Sequence, residues 1–177
     1  TQACHEAAAR PILIAIDQEG GTVARLHDGF TESPGAMALG AADSETLAEQ
    51  VSGVLGAELR ALGINWNLAP VLDITHDINN PSVGVRSLGT DPERIAALGV
   101  AQVRGFQDAG VAATAKHFPG KAKTPVDPHI SLPVIEEPLD DLWHTDLVPF
   151  RAVSAAGIAS MLITHVQFKA LEPDDPS

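Results

Sequence analysis

The densest group of chemically reactive side chains is the stretch AKHFPGKAKTPVDPH, which runs from Ala115 to His129. Its three prolines and its glycine exclude a continuous helix there. Asp127 and His129, two residues apart in an extended segment, can therefore project to the same side. A carboxylate beside an imidazole fixes the tautomer and raises the pKa, which suits a general acid and base near neutral pH. The pair could equally be an exposed feature of a loop, and the residues alone leave both interpretations open.

Lys116 and His117 lie at the start of this stretch, directly after the apolar run Val111–Ala115, which is typical of a buried strand. We expect these two residues to mark the point where the strand ends and a loop begins. They could donate hydrogen bonds to the oxygens of a ligand. They could also be a salt-bridged lysine and a core histidine, and both interpretations stay open.

Asp17 and Glu19 follow another apolar run, Pro11–Ile16, in an acidic, glycine-rich loop. Asp17 could hold the hydroxyl groups of a sugar, or it could pair with an internal arginine such as Arg25 or Arg86. We interpret Glu19 as structural.

Asp73 follows the apolar stretch that starts at Ile64, Arg86 lies further along the same loop, and His165 follows the run Ile158–Thr164. Arg86 could clamp a ligand or simply pair with Asp73, which we interpret as structural. Acids, bases and hydroxyl-binding groups that all follow strands suit a polar, uncharged ligand such as a sugar.

The elements that must position these residues repeat along the chain. Apolar side chains at helical spacing, together with capping residues, predict three main helices. The helices cover Ser44–Leu62, Thr90–Ala109 and a region from Pro138 to Gly157. Pro149 should kink the third helix. Residues 26–40 are predicted as a loop. The glycines that end the helices, Gly63, Gly110 and Gly157, recur at a constant interval of 47 residues, and each precedes a predicted strand.

This alternation of strands and helices predicts an α/β fold with a parallel sheet. Long loops follow the strands, whereas a single glycine joins each helix to the next strand. That asymmetry favours a (β/α)8 barrel of the TIM type, with its site at the carboxyl ends of the strands; a doubly wound sheet is the alternative. Four parallel strands and three main helices amount to about half of the barrel, in one partial domain that covers residues 1–177.

The composition excludes several classes of partner. A net charge of −12, 4% aromatic residues and no tyrosine argue against nucleic acid and against anionic membranes, and no run is long enough for a membrane helix. The single cysteine, Cys4, excludes an internal disulfide. His117, Asp127 and His129 have the side chains of metal ligands, but no HxH or HExxH spacing supports a metal site, so we expect neither a metal nor another cofactor.

Six stretches, in order along the chain, resemble glycoside hydrolase family 3, most closely its bacterial β-N-acetylglucosaminidase (β-hexosaminidase) branch. They read IAIDQEGGTVARL, ELRALGINWNLAPVLDI, NPSVGVRSLGTDPE, GFQDAGVAATAKHFPG, VDPHISLPVI and LVPFRAV. Together they span nearly the whole chain. The order of six motifs makes the resemblance specific, although any one of them alone would not.

The resemblance implies a (β/α)8 barrel that hydrolyses terminal β-linked N-acetylglucosamine, such as that of cell-wall material, with retention and without a cofactor. It implies that His129, partnered by Asp127, is the acid/base. It places the sugar-holding residues at Asp17, Arg86, Lys116 and His117. The family's nucleophile is an aspartate in a Ser-Asp-Asp-like stretch after a later strand. The resemblance implies that this stretch and the family's first strand are both missing from this chain. We therefore expect a truncated form with little or no hydrolase activity by itself.

Two departures from the family pattern fall in the opening stretch. Lys121-Ala122-Lys123 replaces His-Gly-Asp and is expected to add positive charge at the mouth of the site, and Pro128 replaces a serine and should stiffen the segment. Two alternative functions remain. One is a β-glucosidase of the same family; the other is a non-catalytic sugar-binding or assembly module, a half barrel that self-associates through open sheet edges.

Overall fold

A computed structural model describes residues 1–124 and 132–172 of the chain. Its helices are α1 (Gln2–Ala7), α2 (Ala36–Ala42), α3 (Glu45–Ala61), α4 (Pro92–Asp108), α5 (Leu139–His144) and α6 (Leu147–Ala155), with a short 3-10 helix at Gly84–Arg86. Its strands are β1 (Ala15–Ile16), β2 (Trp66–Asn67), β3 (Ala112–Phe118), β4 (Val134–Ile135), β5 (Ser160–Ile163) and β6 (Gln167–Phe168). No helix within these ranges is long and apolar enough to cross a membrane.

The principal sheet has four parallel strands in the order β1-β2-β3-β5. Its register sets Ala15 beside Trp66, Trp66 beside Ala112, and Thr114 beside Ser160. Helices α3, α4 and α6 lie in sequence between or after these strands, so the predicted α/β fold, with four parallel strands of a TIM-type barrel, is confirmed. A second sheet pairs β4 with β6, also in parallel.

The capping residues define the two long helices as the sequence predicts. The Ser44 hydroxyl accepts a hydrogen bond from Leu47 N at 3.2 Å, and the Asp91 carboxylate accepts from Glu93 N at 2.9 Å and Arg94 N at 3.3 Å. The two helices pack closely at Gly105, where an added β-carbon would lie 2.3 Å from a backbone oxygen of α3. The core between α4 and the sheet includes fully buried leucine, valine and phenylalanine side chains.

The fold contains helix α1 and strands β4 and β6, which the sequence-based prediction lacks, and it differs from that prediction at three further places. The region predicted as a loop over residues 26–40 contains the start of α2. Strand β3 continues through Phe118, so Lys116 and His117 lie within the strand rather than after it. The region 138–157 is two helices that break at Thr145 and Asp146 rather than one helix kinked at Pro149. Pro149 lies in the first turn of α6, where the missing N–H costs no helical hydrogen bond.

Candidate active site at the carboxyl ends of the strands

An open cleft of about 390 Å³ lies at the carboxyl ends of β1, β3 and β5. The four residues predicted to hold a sugar, Asp17, Arg86, Lys116 and His117, all line it. Glu19, Arg25, Lys121 and the exposed His165 line it as well. The fold therefore brings together polar residues that are as much as 148 positions apart in the sequence, from Asp17 to His165. Their sugar-binding role stays a prediction.

Lys116 is the most deeply buried charge of the cleft, with only 2% of its side chain exposed. Its Nζ atom lies 2.6 Å from Asp17 Oδ1 and 2.6 Å from Glu19 Oε1. A buried ammonium requires such compensation, because removing it from water without a partner costs several kcal/mol. Asp17 thus pairs with Lys116, not with Arg25 or Arg86. Its own side chain stays 36% exposed, so its carboxylate still reaches the cleft.

Glu19 joins this pair to the guanidinium of Arg86. Arg86 donates from Nε to Glu19 Oε2 at 2.9 Å and from Nη2 to Oε1 at 2.7 Å, the two-pronged geometry that suits a guanidinium. Burial opposes ionisation of Glu19, but the hydrogen bond and charge of Arg86 and the charge of Lys116 outweigh it and lower the pKa of this carboxyl. Of the two alternatives for Arg86, a pair with Asp73 is therefore not what the structure has, and the structural interpretation of Glu19 fits its contacts.

Asp73 is fully buried and organises the end of β3. Its Oδ2 accepts hydrogen bonds from His117 Nδ1 at 2.6 Å and His117 N at 3.2 Å, and its Oδ1 accepts one from Lys121 N at 2.8 Å. Burial alone would raise the pKa of Asp73, but its interactions with His117 and with the Lys121 backbone hold that pKa below the usual value. An ionised acceptor at this position fixes the proton of the imidazole on Nδ1.

His117 is consequently a hydrogen-bond acceptor toward the cleft. Burial lowers its pKa, Lys121 and Arg86 lower it further, and the opposing effect of Asp73 is smaller, so the ring is neutral at neutral pH. With the proton on Nδ1, Nε2 carries a lone pair, and it lies 3.5 Å from Arg86 Nη2. On this side the ring is therefore an acceptor, and the alternative in which His117 donates a hydrogen bond to a ligand does not fit this tautomer.

Gln18 is a buried residue that the sequence analysis did not identify. Its backbone N–H donates to Asn67 Oδ1 at 3.0 Å, and its side-chain oxygen accepts from the backbone of Arg25 at 2.8 Å and of Leu26 at 3.2 Å. These bonds fold the loop after β1 back on itself, and so place Arg25 at the cleft. The signal in the sequence is a neutral amide between two acids directly after a strand.

The two lysines that depart from the family pattern have different environments. Lys121 lines the cleft, although only 3% of the residue is exposed. Lys123 does not line it; its ammonium lies 2.6 Å from Asp146 Oδ2 and also contacts the Glu137 carboxylate. The expectation that both lysines add positive charge to the mouth is therefore wrong for Lys123.

Asp127 and His129, the predicted acid/base pair, lie outside the residues that the structure describes. Within residues 1–124 and 132–172, no three histidine, cysteine or acidic side chains are grouped so that they could hold a metal ion.

A parallel strand-helix repeat with charged side chains gathered at the carboxyl ends of its strands is typical of a (β/α)-barrel domain with its site at that end. Comparison with known proteins gives the family. The model of the "Glycosyl hydrolase family 3 N terminal domain" matches residues 1–177, and the chain belongs to this family.

Among its relatives, β-hexosaminidase A from Pseudoalteromonas piscicida is 41% identical, over 92% of this chain and 28% of that protein. β-Hexosaminidase from Thiobacillus denitrificans is 40% identical, over 95% of this chain and 48% of that protein. These relatives confirm the predicted β-hexosaminidase resemblance. The chain spans about half of the length of the second relative and less of the first.

Solved structures agree with the same assignment. A glycoside hydrolase family 3 β-N-acetylglucosaminidase from Paenibacillus sp. str. FPU-7 superimposes with a TM-score of 0.94 at 50% identity, over 99% of this chain and 33% of that chain. NagZ from Neisseria gonorrhoeae, in complex with N-trifluoroacetyl-D-glucosamine, has a TM-score of 0.86 at 38% identity, over 90% of this chain and 49% of that chain.

Proposed function

We propose that this chain supplies the sugar-binding half of the active site, and the acid/base, of a retaining β-N-acetylglucosaminidase. The observation that carries the proposal is the convergence of Asp17, Arg86, Lys116 and His117 in one cleft of a family 3 domain. The β-hexosaminidase relatives and the Neisseria NagZ structure with an N-acylated glucosamine support N-acetylglucosamine as the terminal sugar.

Each of these four side chains has its hydrogen-bonding role fixed before a sugar arrives. The partly exposed Asp17 carboxylate accepts from sugar hydroxyls, while Lys116 and Arg86 donate from positions held by Glu19. His117 accepts at Nε2 because Asp73 holds the proton on Nδ1. Such preorganisation reduces the entropy that binding must cost, since no long side chain has to be ordered by the ligand.

The acid/base in this proposal is His129, with Asp127 as its partner, as the resemblance implies. In the first step His129 protonates the leaving oxygen while a carboxylate attacks the anomeric carbon, and in the second it removes a proton from the attacking water. Asp17 and Glu19 line the described part of the cleft, and their carboxylates accept hydrogen bonds from Lys116 and Arg86. Asp73 does not line it; its buried carboxylate accepts from His117. In this proposal the nucleophile is the family's aspartate in a Ser-Asp-Asp-like stretch, as the resemblance implies.

Hydrolysis of 4-nitrophenyl β-N-acetylglucosaminide tests this proposal, using the 177 residues and any longer reading frame that encodes them. We expect the longer protein to turn over, and His129→Ala to lower its kcat by about 10²- to 10⁴-fold, the usual contribution of a general acid. A 2,4-dinitrophenyl leaving group departs without protonation. His129→Ala should therefore lower the rate of the glycosylation step far less with the 2,4-dinitrophenyl substrate. The exposed His27→Ala serves as the control.

Three results would contradict the proposal. Undiminished kcat in His129→Ala would remove the acid/base assignment. Turnover by the 177 residues alone that His129→Ala abolishes would show that the nucleophile lies within them. A higher kcat/KM for the nitrophenyl glucoside than for the N-acetylglucosaminide would favour the alternative β-glucosidase.

One observation favours a second candidate, a self-associating, non-catalytic sugar-binding module. The outer strands of the principal sheet border exposed apolar residues, with Leu13 69% exposed before β1 and Ile163 60% exposed at the end of β5. Exposed edges of this kind pair readily with another sheet. Light scattering decides this point, because a monomer at micromolar concentration would exclude assembly through these edges.

A further inference from the structure

Lys123 is the centre of a compact ionic cluster behind the cleft. Its ammonium lies 2.6 Å from Asp146 Oδ2, contacts both oxygens of Glu137 and approaches Thr145 Oγ1 at 3.5 Å. Asp146 is 4% exposed at its side chain, whereas Lys123 and Glu137 are 20% and 24% exposed. Burial opposes the charge on Lys123, but the hydrogen bonds to both carboxylates outweigh that effect and raise its pKa.

The break between α5 and α6 places Asp146 in this cluster. Thr145 leaves the helical conformation, its hydroxyl donates to Asp146 Oδ2 at 2.9 Å, and the carboxylate turns toward Lys123. The same carboxylate packs against Gly120, where an added β-carbon would lie 3.0 Å from Asp146 Oδ1. The helix interruption therefore allows Asp146 to lie against Gly120 and to pair with the Lys123 ammonium.

The cluster joins the two sides of the segment that contains Asp127 and His129. Lys123 lies two residues before residues 125–131, and Glu137 lies six residues after them. On the first side, Asn80 Nδ2 donates to the carbonyl oxygens of Ala122 and Thr124, both at 2.9 Å. On the second side, β4 is hydrogen bonded to β6. The Lys123–Glu137 ion pair is a direct link between these two separately anchored sides.

We propose that Lys123 is a positioning residue, which holds residues 121–124 and 132–137 in one arrangement through Glu137 and Asp146 and so sets the geometry of the reaction that His129 carries out. This inference rests on the proposed function. The family pattern quoted above has an aspartate at this position, and an aspartate in this chain would repel the Glu137 and Asp146 carboxylates instead of pairing with them.

Four variants test the inference by turnover of nitrophenyl N-acetylglucosaminide. Lys123→Met removes the link, Glu137→Gln weakens it from the more exposed partner, and Lys123→Arg keeps a cation. Glu136→Gln changes the exposed neighbouring carboxylate, which makes no hydrogen bond to any residue of 1–124 or 132–172, and is the matched control. We expect Lys123→Met to lower kcat about 10- to 100-fold, the range that a small displacement of a catalytic group produces.

The division between kcat and KM separates positioning from a structural role. KM should stay within about twofold, because the sugar contacts of Asp17, Arg86, Lys116 and His117 do not involve Lys123; Lys123→Arg should restore most of kcat. Hydrogen exchange of residues 121–124 and 132–137 should accelerate in Lys123→Met and not in Glu136→Gln. If Lys123→Met fails to fold, Glu137→Gln provides the test: we expect it to lower kcat by a smaller factor, again with little change in KM.

Each other result has a defined consequence. An active unsubstituted protein whose Lys123→Met and Glu137→Gln variants keep the same kcat would overturn the inference and leave the proposed function intact. If the variants instead lose kcat/KM only because KM rises, while kcat stays unchanged, Lys123 would be assigned to sugar binding. A longer protein without any turnover before substitution would overturn the proposed function and the inference together.

Discussion

Replacing Asp73 by asparagine is the most direct test of how the cleft is built. The side chain is fully buried and accepts hydrogen bonds from His117 Nδ1, His117 N and Lys121 N. Asparagine has the same shape but presents one acceptor and one donor. Its oxygen can keep the bond from Lys121 N, which leaves the amide NH₂ group facing two former donors of His117.

The cost of Asp73→Asn follows from that mismatch. The imidazole can adapt by moving its proton to Nε2, but the His117 backbone N–H then stays without an acceptor, and the new Nε2–H faces the Arg86 guanidinium, 3.5 Å away. A buried donor without a partner costs about 1–3 kcal/mol, and each lost hydrogen bond to a charged group about 1.5–3 kcal/mol. We expect a total loss of about 3–5 kcal/mol in the free energy of unfolding.

Urea denaturation followed by circular dichroism measures this loss, with Asp28→Asn as the control. Asp28 is exposed and its carboxylate makes no hydrogen bond within the described structure, so its substitution should change stability by less than about 0.5 kcal/mol. A loss below about 1 kcal/mol for Asp73→Asn would refute the account of Asp73 as a buried, ionised acceptor. It would also remove the reason for placing the His117 proton on Nδ1.

Two further predictions concern pH and helix capping. The pKa of His117 is lower in the folded than in the unfolded protein, so the unfolded state binds the proton more strongly. The free energy of unfolding should therefore fall as the pH drops below about 6.5. The contribution of His117 to this slope is at most ~1.4 kcal/mol per pH unit. His117→Gln should remove that part of the slope in urea titrations at pH 7.5, 6.5 and 5.5, and an unchanged slope would contradict it. Asp91→Ala should cost about 1 kcal/mol by removing the cap of α4; an unchanged urea midpoint would show that the cap contributes nothing.

The features that the sequence predicts well are those with local causes. The start of α3 follows from Ser44 and that of α4 from Asp91 and Pro92, because a capping residue acts within three positions of itself. The glycines after the helices adopt positive φ, as at Gly63 with φ 76° and Gly110 with φ 81°. The constant spacing of these glycines is sufficient to predict the strand-helix repeat and the edge of the sheet on which the polar residues gather.

The partners within the site could not be predicted in this way, because each depends on the register of distant strands. Asp17 and Lys116 are 99 residues apart, and only the parallel order β1-β2-β3 brings their side chains together. From the residues alone, an internal arginine such as Arg25 or Arg86 is one of two alternatives for Asp17, and the hydroxyl groups of a sugar are the other. The partner of Asp17 is instead Lys116, which lies within β3. Its buried ammonium needs two carboxylates, and Asp17 and Glu19 supply them.

The same reasoning explains why two lysines separated by one residue act in different places. In an extended strand, Lys121 and Lys123 would share a side. The chain instead forms a turn, in which Thr124 N donates to Lys121 O at 3.2 Å, so Lys121 lines the cleft and Lys123 meets Asp146 and Glu137 behind it. The cleft therefore gains one positive charge, and the second lysine is available to hold the two sides of the segment that contains His129. A departure from a family pattern is understood only when each substituted residue is assigned its own partners.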